Sequence, residues 1–189
     1  MAQYFYEDSL NVRTNSVTIV DGAGLAYNAV LGATFSDENP IQPVTLTEAK
    51  DWCRIDVTDD DALITRLIKG ARKVCETYVN LSFITRTVTA TIHNGLGNFT
   101  LPYGPVIGDI TSFADADAGV MTDYNLRTPY GSDIVVVYNA GYADGDLPED
   151  LRTALLCQIA WMYENRGDAK IAGALSVETV LLLKPLRSV

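Results

Sequence analysis

Residues 43–83 read PVTLTEAKDWCRIDVTDDDALITRLIKGARKVCETYVNLSF, and their pattern decides the fold. Thr45 stands three residues before Glu48. That is capping-box spacing: the threonine hydroxyl accepts a free N–H of the first turn and the glutamate carboxylate accepts the threonine N–H. It predicts a helix over about 45–55. A second start signal runs from Thr58 through Asp59, Asp60 and Asp61, acids that the helix dipole favours in a first turn. From there Leu63, Ile64, Leu67, Ile68, Ala71, Val74, Cys75 and Tyr78 recur at three- and four-residue steps. A longer helix over about 60–79 is expected, with Asn80 suited to end it. Arg66, Lys69, Arg72, Lys73 and Glu76 fall to its opposite, wet face.

Such a stripe cannot bury itself and needs another helix. Residues 147–167, LPEDLRTALLCQIAWMYENRG, supply it. Pro148 suits the first helical position, Glu149 and Asp150 the first turn, and Gly167 the stop, so a helix over about 148–165 is predicted. The expected seam sets Leu63, Ile64, Leu67, Ala71, Val74 and Tyr78 against Leu151, Leu155, Ile159 and Met162, closing over the segment between. A charge at Leu67 is expected to unfold it.

That segment, 84–142, has β character. Residues 85–93 (TRTVTATIH) alternate and are rich in β-branched side chains. Turns are read at 94–98, 115–119 and Tyr130-Gly131-Ser132, with further strands at 99–101, 106–114, near 120–126 and 134–139. Residues 1–43 lack helical period, with one strand-like run at 16–20. They read as an extended arm ordered by contact with something else, or as a β-hairpin on the domain's own surface. Gly22-Ala23-Gly24 lacks the following helix and lysine of a nucleotide loop, and reads as a turn. Residues 168–189 form a second arm, with a short helix or strand over 177–183 before Pro185. Val177, Val180, Leu181, Leu182, Leu183, Pro185 and Leu186 are too apolar to leave wet, and a partner chain is expected to cover them. The fold class is α+β. It comprises a small helical bundle within a core domain of 44–167, an antiparallel meander inserted at about 84–142, and arms at 1–43 and 168–189.

The 189 residues carry a formal charge of −10, and no long region is basic, which argues against tight binding of nucleic-acid phosphates. No apolar run approaches the roughly 20 residues of a membrane span, and the start lacks the features of a signal peptide. Cys53, Cys75 and Cys157 sit inside helical patterns, never beside His93, which predicts reduced thiols in a cytoplasmic protein and no zinc site. Asp59, Asp60 and Asp61 read as a solvated helix cap, not a metal site. Residues 115–119, DADAG, open like a calcium loop, but Leu126 occupies the place of the bidentate glutamate. No nucleophile-elbow, phosphate-loop or zinc-protease motif occurs, so neither an enzyme nor a cofactor is expected.

Three phrases in order carry a resemblance: PVTLTEAK, then DDDALITRLIKGAR, then LPEDLRTALLCQIAWMYENR. With the LPYGPV and VVVYNAGY strands between them, residues 43–168 resemble the head–tail connector (adaptor, head-completion) proteins of tailed bacteriophages, in the longer subgroup with a β insertion. The resemblance implies a structural protein of the virion neck, made in the host cytoplasm. It would form a twelvefold ring under the portal, seal the filled head and dock the next neck or tail protein. DNA would pass through the lumen without specific binding. The C-terminal apolar segment becomes the expected portal-docking arm, so that deleting 168–189 abolishes portal binding and leaves the helical core folded. Asp59, Asp60, Asp61, Glu149 and Asp150 become lumen or interface candidates. The alternatives are a stopper protein one ring further down, a small binding module, or an enzyme of another class.

Overall fold

In the computed structural model the capping box forms as its spacing requires. Thr45 Oγ1 accepts the Glu48 N–H at 3.2 Å and the Glu48 carboxylate takes the Thr45 N–H at 3.1 Å, opening α1 (Leu46–Cys53). The structure describes residues 28–36, 41–94, 98–114, 121–122, 125–127, 132–167 and 174–187. The strand-like run at 16–20, the Gly22-Ala23-Gly24 turn, the DADAG turn and residues 168–173 lie outside these. So do the centres of the other two predicted turns. The described chain divides into a sheet unit (28–36 and 86–141) and a helical unit (41–85 and 142–187).

α2 (Asp61–Val79) ends where Asn80 takes a left-handed φ of 60°, a conformation asparagine tolerates. Its start differs from expectation: Asp60 is the N-cap but makes no capping bond, and its carboxylate instead accepts the Tyr163 hydroxyl from α3 (Glu149–Glu164). That bond joins the start of α2 to the end of α3, so the two helices run antiparallel. α3 has its C-cap at Asn165, short of Gly167, where the Asn165 backbone N–H and side-chain amide both donate to the Trp161 carbonyl, at 3.1 and 2.8 Å. The helices pack on each other as expected.

The seam itself is rotated. The buried line of α2 is Ile64, Ile68, Ala71, Cys75 and Val79, whereas Leu63, Leu67 and Val74 are half-exposed flanks and Tyr78 lies at the core edge. The buried arc also takes in Arg72 and Glu76, at 6% and 2% exposure, which the sequence assigns to water. The cause is a second neighbour: residues 42 and 83 bond to that side of α2, so its covered arc is wider and turned relative to a one-partner stripe. On α3, Leu151, Leu155 and Ile159 are buried as expected, with Met162 at the edge. Gln158 is buried too, because α4 (Val177–Leu183) and the chain leading into it cover that side of α3, and Leu156 is buried on a different side.

In the sheet unit, strands β1 (Asn28–Ser36), β2 (Arg86–Asn94), β4 (Val106–Ala114) and β7 (Ser132–Ala140) form one antiparallel sheet in the order β1-β2-β7-β4. The short strands β3 (Asn98–Thr100), β5 (Met121–Thr122) and β6 (Asn125–Arg127) make a second sheet, ordered β3-β6-β5. This corrects the meander: β2 is followed in space by β7, and of the strands between them β4 joins β7 while β3, β5 and β6 pair among themselves. The unbroken apolar run at 134–137 fits the central position of β7, paired on both edges. Val88, Ala90, Val136, Tyr138 and Ala140, all 0% exposed, centre this unit's core. Residues 28–36 are therefore part of the sheet, not of a free arm. Phe35 packs edge-to-face on Tyr103 at 4.8 Å, and the buried Arg86 guanidinium stands 3.9 Å over the Phe35 ring.

Candidate interaction surfaces of the helical unit

Two buried polar clusters hold the elements that present this unit's surface. In α2, Arg72 Nη1 lies 3.3 Å from each Glu76 oxygen, and Arg72 Nε donates to Gln42 Oε1 at 3.0 Å. Glu76 Oε1 also accepts the Phe83 N–H at 2.7 Å. The pair thus ties together the chain before α1 and the chain after α2. In α3, Gln158 donates to the Ala174 carbonyl at 2.8 Å and accepts the Ser176 N–H at 3.0 Å. Ser176 in turn caps α4, accepting the Thr179 N–H at 3.0 Å. Neither cluster is legible as such in the sequence; the signal was a glutamine inside an apolar face and an i,i+4 Arg–Glu pair.

These bonds decide the fate of the C-terminal docking segment. Leu183 is fully buried in the helical core, Leu182 and Leu186 pack at its edge, and Val180 is half-buried. Pro185 is exposed, in the turn Lys184–Leu186 after α4. Val177 and Leu181, one turn apart, are 71% and 67% exposed. The segment is therefore no loose arm: one face of α4 completes this chain's own core and the other points out. Deleting 168–189 removes Leu183 and Thr179 from that core and would not leave it intact.

The five acids part in the same way. Asp60 is held by Tyr163, and Asp61 by Lys50 Nζ at 2.6 Å. Asp59, Glu149 and Asp150 stay exposed. Glu149 lies 3.5 Å from Arg152, which also meets Glu48 at 3.0 Å. Burial pushes the Glu48 carboxyl up, but hydrogen bonds from Thr45 and Arg152 outweigh it and leave it below its ordinary 4.5. On the outward face of α2, Arg66, Lys69 and Lys73 are exposed.

No group of three or more His, Cys, Asp or Glu among the described residues is placed to hold a metal, and no helix among them is long and apolar enough to cross a membrane. A shallow cleft beside Gln42, Phe83, Tyr142 and Arg152 holds about 10 Å³, room for one water. Burial pushes the thiols of Cys53, Cys75 and Cys157 up, aided by the neighbouring carboxylates of Glu164, Glu76 and Glu178, so they stay protonated and unreactive at neutral pH.

Residues 43–107 match the model of the family described as "Phage gp6-like head-tail connector protein". The match begins at the capping box, covers both helices of the hairpin and ends as β4 begins. A chain in the neck of an empty gene transfer agent (GTA) particle, reconstructed in C6 symmetry, shares the fold at TM-score 0.65 and 20% identity, over 84% of this chain and 96% of that one. A chain of the native GTA virion gives 0.64 and 22%, over 83% and 95%. A chain of the native neck in C12 symmetry gives 0.59 and 20%, over 82% and 96%. No curated protein matches. The resemblance read from the three sequence phrases is borne out: in residues 43–107 this chain is similar to the phage gp6-like head-tail connector proteins, and over most of its length its fold is that of chains found in particle necks.

Proposed function

We propose that this chain is a structural head–tail connector, a ring component of the neck of a phage or phage-like particle. The carrying observation is that the connector-family match falls on the capped hairpin α1–α2, the element from which the helical unit is built. The neck reconstructions in sixfold and twelvefold symmetry support a ring, and twelve copies is the number we favour. A ring of identical subunits uses a heterologous contact that closes on rotation. The charge of −10 suits a channel wall along which a duplex slides without sticking.

In this reading the partners are the portal on one side and the next neck or tail protein on the other. The outward pair Val177 and Leu181 is the part of the C-terminal segment left to meet a neighbouring neck component. Catalysis has no place in it. The test is sedimentation of the purified chain over a range of concentrations, followed by imaging of assembled necks with this chain located. A closed multimer found in the neck is expected. A chain that stays monomeric at every concentration and is absent from the neck would overturn the proposal.

A further inference from the structure

We propose that the ring contact is electrostatic and runs from the outward face of α2 in one copy to the loop before α3 in the next. Resting on the ring reading above, this names the surfaces that meet. Arg66, Lys69 and Lys73 lie at i, i+3 and i+7, on one exposed strip about 10 Å long. Both acids of α2 are already committed, Asp61 to Lys50 and Glu76 to Arg72. Among the described residues the three cations make no ion pair. Like charges at such spacings weaken a helix, so the strip is costly unless a counter-charge arrives from outside.

The counter-charge exists in the same unit. Asp144, Asp146, Glu149 and Asp150 crowd seven positions at the start of α3, all exposed. Only Glu149 has a cation within ion-pair distance, Arg152. The two patches do not pair within one chain. The strip lies opposite the buried line Ile64, Ile68, Ala71 and Cys75 of α2, and the acids sit on the connection into α3 itself. Two complementary patches that never meet at home suit a head-to-tail contact between copies. A duplex is the lesser occupant of the strip: three cations stand in a chain of net −10, which repels phosphates.

The test uses the full chain in two charge-reversed forms, Arg66→Glu/Lys69→Glu/Lys73→Glu and Asp144→Lys/Asp146→Lys/Asp150→Lys. All six positions are exposed, and circular dichroism checks each fold. Sedimentation should show loss of the multimer in each variant alone and its return when the two are mixed in equal amounts, because the mixture restores opposite charges at every contact. A multimer that survives either variant, or a mixture that stays monomeric, overturns this inference and leaves the ring reading standing. A cation variant that assembles normally but loses affinity for duplex DNA assigns the strip to the channel, and also overturns it. A wild-type chain that never assembles overturns this inference, and one that is also absent from imaged necks overturns the ring reading itself.

Discussion

Arg72 and Glu76, one turn apart on α2, form an ion pair at 3.3 Å inside the helical unit, and Glu76 also accepts the Phe83 backbone N–H at 2.7 Å. A pair this deep adds little over an apolar pair of the same volume, but losing one member strands a buried charge. Glu76→Ala is therefore expected to cost about 3–5 kcal/mol, while Arg72→Met/Glu76→Leu costs distinctly less. Urea denaturation of the two variants compares them directly. Equal losses would show that the charges do not act as a pair.

Gln158 should decide whether α4 stays on α3. Gln158→Leu keeps the volume but strands the buried Ser176 N–H, a cost of about 1–3 kcal/mol, and frees the Ala174 carbonyl to water. Hydrogen exchange should accelerate at the Thr179 amide, which the Ser176 cap protects, well before exchange in α2 changes. Unchanged protection of α4 would mean that the apolar contact of Leu183 suffices.

The capping box gives the fold an acid-side pH dependence. The Glu48 carboxyl is held below its ordinary 4.5, so its contribution is fully present above that value and is lost as pH falls through the lower, folded one. Glu48→Gln should flatten this part of the stability–pH curve by removing the titrating group. Thr45→Ala should cost about 1 kcal/mol at neutral pH. Thermal melts from pH 3 to pH 7 read both. A wild-type melting point that does not fall with acid would show the carboxylate to be uncoupled from folding.

The rotated seam reverses one expectation. Ile68, 2% exposed, should cost about 2–5 kcal/mol as Ile68→Ala, whereas Leu67, on the half-exposed flank, should cost markedly less as Leu67→Ala. Leu67→Asp should then leave a folded chain. A Leu67→Asp variant without helical circular dichroism would restore the seam read from the sequence.

Much of this protein is set by short-range chemistry that a sequence displays. Thr45 and Glu48 open α1, and Asn80 closes α2, because a cap or a left-handed stop depends only on residues within a turn. The extents of α2 and α3 and the strands β2, β4 and β7 follow from periodicity in the same way, whereas 177–183 was legible as an element but not as a helix. Even the family resemblance rests on such phrases, and the match over residues 43–107 begins at the first of them.

Packing decided the rest. Periodicity says which side chains share a face but not how wide an arc will be covered, since that depends on neighbours distant in sequence. Gln42 and Phe83 turned Arg72 and Glu76 inward, and α4 gave α3 a second buried side through Gln158. Strand order was equally hidden, because β7 pairs with β2 across nearly forty residues, of which β4 joins the same sheet while β3, β5 and β6 form another. Phe35 shows why the first segment misleads: its partners Arg86 and Tyr103 lie fifty and more positions away, and only the folded chain brings them together.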